Sequence, residues 1–229
     1  MNSFDHTGEP IEGFVSNQTV NGNFTELKTV TKDPINGSTE SSSFFDAKGQ
    51  LIRRVDTSEG TRSVVTYGYN DAGKLTVVTS QSFSPGQWTN REQHFWHYDA
   101  SGRPQKMIKI KNETDTSQIE LVMDDKGNVM EEKSRVGGVL QPGIYYYYDL
   151  ENRLTDIVRY SVRARRMLPD FIFEYNEDGL LRTMLVPMTT MADYQKWYYT
   201  YNEKGLKIKD ECFSKSKALI GRIEYQYQY

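Results

Sequence analysis

The amino-acid sequence predicts an all-β protein, an antiparallel meander of about eight or nine successive β-hairpin repeats of about 25 residues each. A seven-residue motif recurs at nearly constant spacing, contains a turn signature, and follows aromatic-rich segments. With 16 Tyr and 10 Phe but only 37% hydrophobic residues, much of the apolar surface is aromatic, which favours strands. We expect a curved, coiled or barrel-like sheet, because about 17 or 18 strands would otherwise form a flat sheet more than ~80 Å wide.

The motif consists of an aromatic residue, Asp or Asn, two variable residues, Gly, one variable residue and usually an aliphatic residue. From Asp46 to Asn202 the Asp or Asn position recurs after 24, 29, 25, 25, 27 and 26 residues. Such regular spacing indicates a repeat architecture. The copies are FDHTGEP (4–10), FDAKGQL (45–51), YNDAGKL (69–75), YDASGRP (98–104), MDDKGNV (123–129), YDLENRL (148–154), YNEDGLL (175–181) and YNEKGLK (201–207).

Each motif copy has the residues of a hairpin turn. Asp or Asn is favoured at the first position of a type I turn, and Gly where a left-handed conformation follows. In one copy Asn152 replaces this Gly, and Asn also tolerates positive φ. Between Asp5 and Asp46 we expect a shorter, two-residue turn at Asn21 and Gly22. The other predicted turn formers are Asp5 with Gly8, Asp46 with Gly49, Asn70 with Gly73, Asp99 with Gly102, Asp124 with Gly127, Asp149 with Asn152, Asn176 with Gly179, and Asn202 with Gly205.

The strands before the turns predict one packed face and one face that is at least partly wet. Residues two positions ahead of the motif aromatic share its face and are mostly aromatic, as Tyr67, Trp96 and Tyr199 are. Residues one position ahead are mixed. We interpret the chain as a single domain, 1–229, with an irregular first part (1–40), regular repeats (41–212) and a terminal strand (221–229).

Charge and cysteine content exclude several classes of function. A net charge of −3 makes nucleic acid an improbable partner, and the single cysteine, Cys212, excludes an internal disulfide framework. No apolar stretch reaches the ~20 residues of a transmembrane helix, and the N-terminus lacks the pattern of a secretory signal. The sequence predicts a cell-envelope or extracellular protein if a signal segment was removed, and a cytoplasmic one otherwise.

The motif copies resemble the YD repeat, also called the Rhs repeat, over nearly the whole chain. The resemblance implies β-hairpins that wind into a spiralling sheet, and a role in binding or scaffolding. The chain looks more like the short, stand-alone YD-like proteins of bacterial envelopes than the long Rhs polypeptides, which have many more copies. Met123, Asn152 and Lys207 depart from the usual residues of the motif.

The sequence predicts no catalytic residues, cofactor or metal site. His94 and His97 lie three apart in a predicted strand, on opposite faces, and cannot chelate one metal ion from regular β geometry. Asp124 and Asp125 are explained by their turn, and each turn has too few carboxylates for a calcium loop. We therefore expect a protein that is not an enzyme. A glycoside hydrolase with carboxylates on the concave face is the catalytic alternative.

The connections that do not repeat hold the candidate ligand-binding residues. Trp88 lies in a Pro-Gly loop and could stack on a sugar ring; the alternative is an aromatic folded over the sheet edge. Arg163, Arg165 and Arg166 lie close together in the sequence and could either bind a ligand or form a solvated cluster. We expect binding of a carbohydrate or a protein, or else a scaffold or shell segment of a longer Rhs-type polypeptide; the oligomeric state stays open. The candidates are Trp88, Arg163, Arg165, Arg166 and Tyr194.

Overall fold

The computed structural model describes residues 2–34, 37–84, 87–188 and 193–227, without the side chains of 87–89. These residues form 19 strands and no helix. Consecutive strands pair antiparallel throughout the regular repeats, so the predicted all-β antiparallel meander is confirmed. None of the described residues belongs to a helix with the length and hydropathy needed to cross a membrane.

The strands are numbered in chain order, and most contain between 6 and 10 residues. They are β1 (Asn2–Phe4), β2 (Val15–Val20), β3 (Glu26–Asp33), β4 (Gly37–Phe45), β5 (Leu51–Ser58), β6 (Thr61–Tyr69), β7 (Leu75–Ser84), β8 (Gln87–Tyr98), β9 (Pro104–Lys111), β10 (Asp115–Met123), β11 (Val129–Val136), β12 (Val139–Leu140), β13 (Ile144–Tyr148), β14 (Leu154–Ser161), β15 (Arg166–Tyr175), β16 (Leu181–Pro187), β17 (Tyr194–Tyr201), β18 (Lys207–Ser214) and β19 (Leu219–Glu224).

Residue contacts divide the chain into two compact units. Unit 1 contains β1 and the hairpins from β13 to β19, and unit 2 contains the hairpins from β3 to β10. The bounds of unit 1 are Met1–Val15, Val129–Glu131 and Pro142–Tyr229, and those of unit 2 are Ser16–Asn128 and Glu132–Gln141. The assignment of 1–229 to one repeat domain stays a prediction.

The motif residues form one type of turn in successive copies. At Asp46, the backbone N–H donates to the carbonyl of Gln50, and the N–H of Gly49 donates back to the carbonyl of Asp46. Asp46 Oδ1 accepts from the N–H groups of Lys48 and Gln50, both at 2.8 Å. Gly49 is left-handed with φ 77°, and Asn152 takes the same conformation with φ 67°. The same two backbone bonds start at Asp5, Asn70, Asp99, Asp124, Asp149, Asn176 and Asn202.

A shift in strand register accompanies the turn. The pairing slips by one residue at the motif aromatic, as between Glu174 and Tyr175 or between Thr200 and Tyr201. This slip is a β-bulge, because it leaves one residue of the strand after the turn, such as Arg182, without a partner in the strand pairing. It places the first residue after each turn on the face of the motif aromatic. Lys207, which pairs with Tyr201, is one such residue.

The turn at Asn21 is longer than the two-residue turn expected there. The Asn21 N–H donates to the carbonyl of Glu26, and the Phe24 N–H donates to the carbonyl of Asn21. Asn21 therefore has the role of the motif Asp. Phe24 takes the position of the motif Gly, with φ 54°, and its side chain is 79% exposed.

Substituting Phe24→Gly is expected to stabilise the protein by about 0.5–1 kcal/mol, because a left-handed backbone is costly for a residue with a Cβ. The exposed ring has little packing to lose. Urea denaturation would measure the free energy of unfolding. Phe24→Ala is the control, since it removes the ring and keeps the Cβ. A lower unfolding free energy for the Gly variant would show that the conformation is not strained.

Where the motif aromatic is a tyrosine, its hydroxyl connects the repeat to the one before it. The motif tyrosine donates to the carbonyl of the last motif residue of the preceding copy, as Tyr175 does to Leu154 at 2.8 Å. This bond explains why Tyr is preferred over Phe at the position. Tyr227 continues the pattern, so the terminal segment has the role of a further pre-turn strand. The remaining pairs are Tyr69 to Leu51, Tyr98 to Leu75, Tyr148 to Val129, Tyr201 to Leu181, and Tyr227 to Lys207.

The first strand of unit 1, β1, pairs with its last strand, β19. In β1, Ser3 pairs with Ile223 and Phe4 with Arg222 of β19. The Arg222 guanidinium carbon lies 4.0 Å from the centroid of the Phe4 ring, a cation–π contact. Since β18 pairs with the other side of β19, both edges of β19 are covered.

Candidate binding groove of unit 1

A groove of about 500 Å³ follows β17 and β18 in unit 1. Its lining contains aromatic rings, hydroxyl groups and several cations. The groove extends to the end of the sheet where β17 begins and β18 ends. It is lined by Arg182, Tyr194, Lys196, Tyr198, Tyr199, Thr200, Glu211, Phe213, Ser214, Lys215 and Lys217.

Strand register brings the central lining residues together. Tyr198 pairs with Glu211 across β17 and β18, and directly opposed residues share a face of an antiparallel sheet. Lys196 and Phe213 form the next pair on this face, two residues along each strand. This is the predicted wet face, on the opposite side of the sheet from the motif aromatics.

Two aromatic rings form a partly exposed platform in the groove. The centroids of Tyr198 and Phe213 lie 5.7 Å apart, with the rings at 83°, so the edge of one meets the face of the other. Lys196 Nζ lies 5.6 Å from the Tyr198 centroid. Tyr198 keeps 41% of its surface exposed, so the platform is accessible to a ligand.

The groove is positively charged although the chain has a net charge of −3. Its lining contains four cations and one carboxylate, Glu211. Lys196 and Arg182 share a second carboxylate, Glu174, at 3.3 Å each. A hydrogen bond from the Thr183 hydroxyl, at 2.7 Å, is the main cause that holds the Glu174 pKa below its ordinary value, against the effect of burial.

A buried charge cluster occupies the opposite face of β18. Asp210, only 5% exposed, accepts hydrogen bonds at its Oδ2 from Lys207 Nζ and the Tyr225 hydroxyl, both at 2.7 Å. The bulge after the turn places Lys207 on the same face as Asp210, three residues along the strand. Asp210 Oδ1 is buried and has no hydrogen-bond partner among the described residues. We call these three residues the Asp210 cluster.

Burial and hydrogen bonds shift the titration of this region. Burial is the largest single cause and acts to lower the pKa of Lys207, but the interactions with Asp210 and Tyr225 together outweigh it, so the pKa is raised. Burial raises the pKa of Tyr225, and so does its bond to Asp210. Burial also raises the pKa of Cys212, which is 2% exposed, so its thiol is a packed neutral group.

The predicted site residues fall in different places. Tyr194 lines the groove. The three arginines lie at the β14–β15 turn and are exposed, whereas nearby Arg159 pairs with Asp170 at 2.6 Å. Trp88 lies in β8 and pairs through its backbone with Phe83 of β7, and its side chain lies outside the described part of the chain. The turn arginines are Arg163, Arg165 and Arg166, and ligand binding by any of these candidates stays a prediction.

Sequence reasoning missed Tyr198, Lys196 and Phe213 of the groove. A signal was present, because Tyr198 stands three residues before the motif aromatic Tyr201 and so on the wet face. Phe95, Tyr145 and Tyr147 also lie on the face opposite their motif aromatics, so this signal alone does not single out Tyr198.

The remaining chemistry-bearing residues make structural contacts. His94 hydrogen-bonds Glu92 at 2.6 Å, and Lys109 pairs with the same carboxylate at 2.8 Å. Asp124 Oδ1 accepts from the Asn128 N–H at 2.8 Å and so belongs to its turn. Within the described ranges, no group of three or more His, Cys, Asp or Glu residues is arranged to hold a metal ion.

Comparison with known protein families identifies the repeat. A family model described as RHS Repeat matches residues 45–81. Residues 45–81 therefore match an RHS repeat. This RHS repeat begins at the motif copy 45–51, contains β5, β6 and the copy 69–75, and ends within β7. The resemblance recognised in the sequence is therefore confirmed, and the other copies have the same turn geometry as those inside the match.

Two toxin structures align with most of the chain at low identity and low TM-score. The crystal structure of TcdB2-TccC3-TEV aligns at 13% identity and a TM-score of 0.42, covering 93% of this chain and 12% of that one. A mutant Tc holotoxin pore of Photorhabdus luminescens aligns at 14% identity and a TM-score of 0.41, covering 86% and 11%. The chain thus spans only a small part of these toxin chains.

A porin-like protein from Bacteroides uniformis matches at similar length. Its crystal structure aligns at 7% identity and a TM-score of 0.52, covering 93% of this chain and 94% of that one. At this identity the similarity is one of fold. No curated protein matches the sequence.

Proposed function

We propose that the protein is a non-catalytic RHS-repeat binding protein that takes a carbohydrate in the groove of unit 1. The observation that carries the proposal is the accessible Tyr198 ring in a concave groove whose lining combines aromatic rings with hydroxyl and charged groups. Flat aromatic rings present apolar faces to sugar rings, while surrounding hydroxyl and charged groups bond the sugar hydroxyls. Thr200, Ser214 and Glu211 supply such groups here.

Repeat architecture supports the same assignment. The motif residues form the turns, and the motif tyrosines form hydrogen bonds between successive copies. Ligand contacts therefore come from residues that do not repeat, such as Tyr194 and Lys217 at the loop end. We place this binding function at the cell envelope or outside the cell, where polysaccharides are found.

Tyr198→Ala is expected to weaken saccharide binding about tenfold, the effect of losing ~1.4 kcal/mol from a stacked aromatic anchor. A glycan array on the full chain selects the saccharide, and isothermal titration calorimetry measures the dissociation constant. Tyr147→Ala is the matched control, because Tyr147 is a 52% exposed tyrosine of unit 1 outside the groove. Equal losses in the two variants, or no binding by the wild type, would contradict the proposal.

A scaffold segment of a longer Rhs-type polypeptide is the second candidate. The RHS repeat at residues 45–81 favours it, because this repeat is itself a structural unit. The open reading frame distinguishes the two: a single long frame that continues the repeats on either side supports the scaffold.

A further inference from the structure

Exposed cations lie at one end of the unit 1 hairpins. The meander runs antiparallel, so the β14–β15 turn, the start of β17 and the β18–β19 turn lie at the same end of the sheet. Tyr194, opposite Pro187, marks this end at the groove. We call it the loop end of unit 1.

Four exposed loop-end cations, one on one side of the groove and three on the other, make no ion pair with a described residue. Lys217, on the β18–β19 turn, is exposed and makes no ion pair with a described residue. The same holds for Arg163, Arg165 and Arg166 on the β14–β15 turn. Three strand spacings separate β15 from β18, which is about 14 Å at ~4.8 Å per strand.

We infer that the ligand is an acidic polysaccharide whose carboxylate groups bind the groove cations and, farther along the same chain, the arginine turn. This inference rests on the proposed carbohydrate-binding function and names the class of its ligand. One sugar ring stacks on Tyr198 in the groove. Other sugar residues of the same polymer then bind the β14–β15 turn, which lies at the same end of the sheet.

Charge complementarity favours this ligand over a neutral glycan. Although the chain has a net charge of −3, four cations line the groove against Glu211 and the adjacent Glu174, and three arginines lie at the turn. Arg binds a carboxylate through two parallel N–H donors, which suits a uronic acid. Each ionic contact also releases counterions, so polymer binding is sensitive to salt.

Concavity favours a polymer chain over a lipid surface. The aromatic platform lies inside a groove of about 500 Å³, which admits sugar rings in a row. A flat anionic bilayer would meet the arginine turn and leave Tyr198 uncovered. Acidic polysaccharides and anionic lipids are both attracted to arginine, so the experiment includes both ligands.

The test measures binding of the full chain to polygalacturonate, its fully methyl-esterified form, a short galacturonate oligomer, and phosphatidylglycerol vesicles. The expected result is binding to polygalacturonate at least about tenfold tighter than to the ester, falling steeply with salt. The R163Q/R165Q/R166Q variant is expected to bind the polymer about tenfold more weakly, and the short oligomer within about twofold of the wild type.

The K48Q/K126Q/K204Q variant removes the same formal charge from motif turns at the other end of the hairpins and controls for net charge. Equal loss of affinity in both triple variants would overturn the inference, as would binding to the vesicles without polygalacturonate. Equal binding of the polymer and its ester, with Tyr198→Ala still weakening both, would overturn the inference and leave the proposed function standing. Failure of the wild type to bind any saccharide would remove both.

Discussion

Lys207→Met is expected to destabilise the protein by about 2–3 kcal/mol, an effect typical of a buried carboxylate that loses its ionic partner. In the wild type, Asp210 accepts from Lys207 and Tyr225 at 2.7 Å each. The substitution leaves a 5% exposed carboxylate with a single neutral donor and its Oδ1 still unbonded. Urea denaturation of both proteins gives the difference in unfolding free energy.

Lys209→Met is the matched control. Lys209 and Lys207 side chains are both 34% exposed, and each pairs with a carboxylate on its own strand, Lys209 with Glu211 at 2.8 Å. The Glu211 side chain is 21% exposed against 7% for Asp210, so water compensates Glu211 better when its partner is lost. We expect Lys209→Met to cost less than about 1 kcal/mol. Equal costs in the two variants would contradict the burial argument.

A second substitution separates charge from packing. Asp210→Asn in the Lys207→Met background removes the uncompensated charge and keeps one acceptor, so it is expected to recover about half of the loss.

The stabilisation contributed by Lys207 also has a defined pH window. Because the folded pKa of Lys207 is raised, this stabilisation is fully present below the ordinary lysine pKa and is lost as pH rises through the folded pKa.

The repeats could be predicted because their signals are local. Asp46 and Gly49 form a turn through bonds within five residues, so the sequence pattern and the hydrogen bonds coincide. Phe24 shows the limit of such signals. A left-handed Phe has no sequence signature, and the adjacent Asn-Gly pair suggested a turn of a different length.

The groove could be predicted only in part, because it depends on register between strands. Tyr198, Phe213 and Lys196 converge through the pairing of β17 with β18, after a bulge that the turn motif does not specify. The same bulge brings Lys207 to Asp210. Tyr194 was found because it stands in a connection that does not repeat.

Removing residues 1–11 is expected to make the protein self-associate, because it uncovers the outer edge of β19. The wild-type edge is occupied by Asn2, Ser3 and Phe4, which pair with Glu224, Ile223 and Arg222. An open strand edge presents unpaired N–H and C=O groups that a second chain can extend. Size-exclusion chromatography with light scattering, over a range of concentrations, would show a larger mass for the shortened chain than for the full one.

Phe4→Ala distinguishes edge exposure from lost packing. This substitution removes the ring beneath Arg222 but leaves the backbone pairing of β1, so we expect a cost of about 1 kcal/mol and no change in mass. Hydrogen exchange locates the contact: the amides of 219–224 should be protected in the associated form and exchange faster on dilution. Fast exchange across the whole of unit 1 would instead mean that the shortened chain unfolds, since an edge contact protects only the strand it pairs with.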